Sequence, residues 1–315
     1  MEAVTDVVFR HVVVRAARPD VFFTEFVNAA SFCSPEGKHS TYSRLAFTSD
    51  EQPMVAQIWG TNPENFAEMA KALKKLGYAG IDINMGCPAR DVIKIGACSA
   101  LIENPSLAAE LIAAAKEGGL PVSVKTRIGL KTRKTEEWLG HLLQQDISAL
   151  TVHARTQKEM SKVPAHWEEF AITAALRNQF APQTLIIGNG DIKNRQHGEA
   201  LIKQYHIDGV MIGRGVFTNP FCFEKHPREH SRKELLELLE FHLDLFDATA
   251  RLQLGKIGPD NQQAVQAERA FQPLKRFFKI YIRDFAGASE LRDKLMHAKC
   301  TDEVRAIIGS TPDIS

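Results

Sequence analysis

A cysteine stands where an apolar run ends. The stretch "GIDINMGCPARDVIKIGACSALI", residues 80–102, reads as a buried strand closing on a Gly-Cys-Pro turn that carries Cys87. A thiol with a free pKa of about 8.5 is mostly protonated at neutral pH, so at a strand mouth it can give a proton or, once activated, attack as a nucleophile. No histidine adjoins it in sequence to make an obvious Cys-His pair, and proton donation is the simpler role. Polar residues also close other apolar runs: Gln57, Asn84, Lys125 with Arg127, His153 with Arg155, Asn189 with Asp191, and Arg214. An inward lysine at 125 needs a partner, which an anionic or electron-rich ligand or a carboxylate at the rim would supply. His153 can hydrogen-bond a ring or a phosphate, or be satisfied by the fold. "IIGNGDI" and "VMIGRGVF" end in small residues before helices, which suits a phosphate, although such turns also serve packing.

These residues are delivered by a repeated beat. Short apolar or β-branched runs occupy residues 21–27, 53–60, 80–86, 121–129, 149–155, 184–190 and 209–215, separated by helix-length amphipathic segments. In "NPENFAEMAKALKKLG" and "NPSLAAELIAAAKEGG" the Asn-Pro pair gives a helix N-cap followed by proline in the first turn. Strands alternating with helices predict a parallel sheet covered on both sides. Polar residues at the C-terminal ends of so many runs favour a closed (β/α)8 TIM barrel, whose active sites open on that face, over an open doubly wound sheet. Seven runs are one short of eight, and "MEAVTDVVFR" reads as the loop and helix after a first strand. The expectation is therefore that a few upstream residues supply strand one. After residue 220 the beat stops. "SRKELLELLEFHLDLFDATARL" opens on a Ser-x-x-Glu capping box, and helices are expected to the end, giving a barrel over 1–224 and an all-helical C-terminal domain over 225–315.

Composition narrows the class further. Of 315 residues, 44% are hydrophobic and 24% charged, and the two signs nearly cancel to a net +1, which argues against a chain-wide polyanion surface while leaving room for a local basic face. No apolar stretch reaches the length of a membrane span and no signal-type leader opens the chain, so a cytoplasmic protein without a membrane partner is expected. The five cysteines are scattered and never form a C-x-x-C pair, so neither a disulfide framework nor a metal site is expected.

Taken in order, "MEAVTDVVFR", "AQIWG", "DINMGCPARDVIKIGACSALI", "VSVKTRIG", "TVHART", "IIGNGDI" and "VMIGRGVFTNPFCF" resemble the flavin-dependent tRNA-dihydrouridine synthases, and the resemblance runs through the tail at "PLKRFFKIYIRDF". It implies a barrel holding FMN and a helical tRNA-recognition domain, with NADPH (or NADH) as reductant and tRNA as the partner. It implies reduction of the C5–C6 double bond of particular uridines, by hydride from reduced FMN to C6 and a proton from Cys87 to C5. Asn84 matches the motif's asparagine beside flavin and uracil. Gln57 and Lys125 match flavin contacts with His153 beside them, and Asn189, Gly190 and Asp191, then Gly213 and Arg214, match the phosphate loops. Arg155 is a candidate for flavin phosphate or substrate. Of the family's Ala-Pro-Met loop only Met1 is present, and Cys98 stands where many members have a small glycine.

A polyanion needs cations, and residues 269–283 carry Arg269, Lys275, Arg276, Lys279 and Arg283 without an acid before Asp284. Basic side chains position phosphates, so Lys275, Arg276 and Lys279 are the expected RNA contacts, with the interleaved Phe277, Phe278 and Tyr281 read as helix core. Two rival readings remain: an FMN barrel acting on a free pyrimidine, and a tRNA-binding or tRNA-folding protein with idle flavin chemistry. No obligate protein partner and no metal are implied.

Overall fold

The computed structural model describes residues 4–254 and 271–311. The chain divides into two compact units, one made of the residues up to Val7 with Pro19–Gly215, the other of Val8–Arg18 with Val216–Ser315.

The first unit is built on a parallel sheet: β1 (Phe22–Phe23), β2 (Val27–Asn28), β3 (Met54–Trp59), β4 (Gly80–Met85), β5 (Val122–Arg127), β6 (Ala149–His153), β7 (Leu185–Asn189) and β8 (Gly209–Met211). β1 and β2 both pair with β3 and form one stave broken over residues 24–26, so the seven sequence runs become seven staves. From β3 onward each strand lies beside its predecessor in sequence, with no reversal of order. A doubly wound sheet requires such a reversal. The architecture is therefore that of a TIM barrel followed by helices. Among the described residues β1 and β8 each have one unpaired edge.

Helices Pro63–Lys75 and Pro105–Lys116 begin as their sequences require. The side chain of Asn62 accepts from the N–H of Asn65 at 3.1 Å and that of Asn104 from Leu107 at 3.3 Å, with proline in the first turn of each. Their apolar faces, Phe66, Met69, Ala70 and Leu73 in one and Ala108, Leu111, Ile112 and Ala115 in the other, are buried. Along the strands the alternation of period two sends Ala56 and Ile58, Ile81 and Ile83, Val122 and Val124 to one face, and Gln57, Asp82 with Asn84, and Ser123 with Lys125 to the other. The sequence reading predicts a sheet covered on both sides. The second face is polar along its length at β4 and β5. Lys125 on β5 reaches Asn189 on β7, past β6, which is possible only on the concave side of a curved sheet.

In the second unit the capping box forms: Ser231 N donates to Glu234 Oε2 at 2.9 Å and Glu234 N to Ser231 Oγ at 3.2 Å, opening the helix Arg232–Leu254. Helices Ala288–His297 and Thr301–Gly309 follow. The helix Val7–Ala17 falls almost wholly in this unit, although the sequence boundaries assign it to the barrel. The reason is apolar: Phe9 stacks on Phe277 at 4.7 Å and on Phe217 at 5.6 Å. No described helix is long and apolar enough to cross a membrane, and the described residues contain no cluster of metal ligands.

Candidate active site

Register brings the polar row together. Gln57 pairs with Asp82, Asp82 with Ser123, Asn84 with Lys125, Arg127 with His153, and His153 with Asn189. Gln57 and Asn84 are each 3% exposed and Asp82 is 0% exposed. Asp82 accepts from Ser123 Oγ at 2.7 Å and from Gln57 Nε2 at 2.6 Å. Gln57 Oε1 accepts from Asn84 Nδ2 at 3.1 Å, and Asn84 Oδ1 accepts from the N–H groups of Gly86 and Cys87, both at 3.0 Å. Burial pushes the Asp82 carboxyl up to about 6, against the lowering pull of Ser123, Gln57 and Lys125.

The Cys87 turn is held from three more directions. Arg127 Nε donates to Gly86 O at 2.8 Å while its NH1 donates to Thr156 O at 3.1 Å and Met160 O at 3.0 Å, tying the loop after β4 to the loop after β6. Ser99 Oγ donates to Cys87 O at 2.8 Å. Cys98 hydrogen-bonds Cys87 through its thiol, and that bond together with burial raises its pKa. Cys87 itself is half-buried, Cys98 buried.

Cations converge on the other side of the mouth. Burial first, then Arg127, Lys125, Arg155 and Arg214, push His153 down to about 2, so the ring is neutral at any working pH. An arginine N–H can only donate, so Arg155 NH1 at 3.0 Å makes His153 Nε2 the acceptor and places the ring proton on Nδ1, which meets no partner among the described residues. Lys125 is pushed down to about 8, mostly by burial and then by Arg127, despite the opposing pull of Asp82. Its single described hydrogen bond runs to Asn189 Oδ1 at 3.3 Å, which leaves two of its three donors without a protein acceptor there. Asn189 is oriented for this by donating Nδ2 to Met211 O at 2.7 Å.

Beyond β7 the backbone turns left-handed at Gly190, φ 129°, and Asp191, φ 55°. A Cβ on Gly190 would come within 2.8 Å of Ala165, whereas one on Gly213 would meet no atom within 4 Å, leaving open space beside the loop after β8. The Asp191 carboxylate is bound by Arg155, by the N–H of Ala165 at 3.1 Å and by Arg214 at 3.6 Å, so only its backbone N–H is available to an anion.

A family model described as "Dihydrouridine synthase (Dus)" matches residues 1–310. The chain belongs to the dihydrouridine synthase family. It is 56% identical over 309 residues to the probable tRNA-dihydrouridine synthase 2 of Bacillus subtilis strain 168, covering 98% of this chain and 91% of that one. It is 54% identical over 309 residues to the probable tRNA-dihydrouridine synthase of Staphylococcus aureus strain COL, covering 98% and 90%. Among solved structures a variant of NCR from Zymomonas mobilis shares 14% identity over 68% of this chain and 77% of that chain, with a TM-score of 0.46, too slight to bear on function.

In this member of the family the structure gathers Gln57, Asn84, Cys87, Lys125, His153, Asn189, Gly190, Asp191, Gly213 and Arg214 at the C-terminal ends of the staves and the loops after them. Met1 and Arg269 lie outside the described residues. Two of the expected contacts are buried side chains. Arg155 is 2% exposed and its guanidinium is taken up by Val163 O, His153 and Asp191, so it braces the loop after β7. Lys275 is 9% exposed, donates Nζ to Met296 O at 2.8 Å and lies over the Phe271 ring, so it is a packing residue. Arg276 and Lys279 are exposed as expected, and Phe277, Phe278 and Tyr281 are buried core. Sequence reading gave no role to Asp82, Ser123 or Ser99, and named Arg127 without assigning it one. An acid in the middle of an apolar strand was the available signal for Asp82.

Proposed function

We propose that this chain reduces the C5–C6 double bond of uridine in tRNA, with FMN as the bound cofactor and NADPH or NADH as reductant. The observation that carries the reading is the pairing, on one rim, of a half-buried thiol on the β4 turn with a group of cations on the strands and loops beside it. The rival with a free pyrimidine as substrate shares that rim but gives no use to the exposed basic residues of the tail.

The donor set fits FMN. Lys125 with two donors to spare, the Nδ1–H of neutral His153, the N–H groups around Gly190 and Asp191, and the open backbone at Gly213 beside Arg214 suit a phosphate and an electron-rich ring. Gln57 and Asn84 would hold the ring edge, their amides fixed by their neighbours. When bound, FMN supplies the hydride for C6. Cys87 Sγ gives the proton to C5. His153 is the wrong acid for that step, because a ring that is neutral down to about pH 2 has no imidazolium proton to release. The exposed Arg276 and Lys279 would position tRNA phosphates, making the helical region a recognition domain, and a uridine in a loop is the least costly to turn out of its stack. Such an enzyme would work in the cytoplasm and needs no protein partner.

The test is direct. The purified protein should be yellow and should convert uridine in an unmodified tRNA transcript to dihydrouridine, read as a two-dalton gain in the nucleoside mass spectrum. A protein that cannot be loaded with FMN, or that reduces free uridine as well as tRNA, contradicts the proposal.

A further inference from the structure

The buried acid Asp82 has no exposure to solvent, yet it heads an unbroken line of hydrogen bonds that ends on the backbone of Cys87. We propose that Asp82 is a positioning residue for Cys87, setting the direction of the chain Asp82–Gln57–Asn84 that holds the Gly86–Cys87 turn. The inference rests on the reading of Cys87 as the proton donor.

The direction follows from what each group can do. An ionised carboxylate only accepts, so Gln57 must turn its NH2 toward Asp82, at 2.6 Å. That leaves Gln57 Oε1 for Asn84 Nδ2, at 3.1 Å, and leaves Asn84 Oδ1 for the N–H groups of Gly86 and Cys87, at 3.0 Å each. Either amide could sit reversed in isolation, and an acceptor at the head selects one arrangement for both. In the reversed chain Asn84 Nδ2 would face two backbone N–H groups, donor against donor, and the turn would open. Its carbonyls have separate anchors, Gly86 O on Arg127 and Cys87 O on Ser99, so the N–H side depends on Asn84.

Ser123 completes the device. Its hydroxyl donates to Asp82 Oδ1 at 2.7 Å and can equally accept. A protonated Asp82, or an asparagine in its place, can therefore aim its donor at Ser123 and keep an acceptor toward Gln57. The chain tolerates loss of the charge and fails on loss of the acceptor. Packing alone gives no reason for a carboxyl at a fully buried position, where an apolar side chain avoids the penalty of burying an ionisable group.

The experiment compares Asp82→Asn with Asp82→Leu in the full chain, reading three quantities: the rate of Cys87 alkylation by iodoacetamide from the mass of its peptide, kcat and KM for tRNA, and the thermal midpoint. Asp82→Asn should stay within about threefold of the parent in thiol rate and kcat, whereas Asp82→Leu should shift the thiol rate at least about fivefold and lower kcat at least about tenfold, with KM for tRNA within about twofold. Its thermal midpoint at pH 7 should fall, because the buried Gln57 Nε2 and Ser123 Oγ lose their acceptor. A folded Asp82→Leu with parental thiol rate and kcat overturns the proposal, and so does an Asp82→Asn that behaves like the leucine. Should the leucine variant fail to fold, Asp82→Asn is compared with Asp82→Asn combined with Ser123→Ala, where the amide at 82 loses its reason to choose a direction. The double variant alone should then shift the thiol rate, and identical rates overturn the idea. Dihydrouridine formation by Cys87→Ala would sink the proton-donor reading separately, since the alkylation comparison needs no turnover.

Discussion

Raising the pH should loosen the site's hold on FMN, and the reason is Lys125. Its ammonium is pushed down to about 8, from an ordinary value of 10.5, chiefly by burial and by Arg127. An anion placed beside it favours the charged form and restores the higher value, so by linkage the ligand binds the protonated lysine more tightly. If binding returns Lys125 to 10.5, the dissociation constant at pH 9 should be roughly tenfold that at pH 7, because only about a tenth of the free sites then carry the charge. Binding at pH 9 should also take up about 0.9 proton per site. The assay is calorimetric titration of FMN at pH 7, 8 and 9 in two buffers of different ionisation enthalpy, on Cys87→Ala so that thiol ionisation does not enter. Lys125→Met should bind more weakly at pH 7 and flatten the profile. An affinity constant from pH 7 to 9 with no proton uptake refutes the argument. Folding stability moves the other way. The unfolded chain holds more protons at Lys125 between pH 8 and 10.5, so this lysine's contribution to stability rises with pH across that window.

The other expectations are narrower. Cys87→Ala should still let NADPH bleach bound FMN while dihydrouridine formation falls at least about 100-fold, the scale of a lost general acid; full product formation would remove its role. Replacing Arg276 and Lys279 with alanine should weaken tRNA binding and make the logarithmic salt slope shallower by about 2, and an unchanged slope would move the RNA face elsewhere. Lys275→Met should leave that slope alone and lower the thermal midpoint, since Met296 O loses its donor at a cost of about 1–3 kcal/mol; a changed salt slope would restore Lys275 to the RNA face. Arg155→Ala should weaken FMN binding by freeing the Asp191 carboxylate beside the phosphate loop, and unaltered binding would mean that the loop holds itself.

The barrel and most of its rim were legible because both depend on local pattern. A polar residue two places along a strand from another shares its face, so Asn84 with Asp82 and Lys125 with Ser123 and Arg127 could be placed together before any contact was known. What stayed hidden depends on chain segments far apart in sequence. Phe9 meets Phe217 and Phe277 across more than two hundred residues, and nothing in "VVFRHVVV" says which unit that helix joins. The bracing of Arg155 could not be read because its partners, Val163 O and Asp191, lie in loops whose course has no periodicity.

Lys275 was different, for its burial was readable. It lies at helical spacing with Phe271, Leu274 and Phe278, all buried, whereas Arg276 and Lys279 are three apart on the opposite stripe. Counting charge along a segment overlooks that distinction. The same distinction lets a chain of net charge +1 hold locally cationic faces: what matters is which faces the arginines and lysines occupy, and at the barrel mouth four of them crowd one histidine. A site so arranged holds excess positive potential, since Asp191, Asp82 and Glu159 offset Lys125, Arg127, Arg155 and Arg214 only in part. That residual potential is the physical reason to expect an anion there, and it makes the proton uptake at Lys125 the measurement on which the cofactor assignment turns.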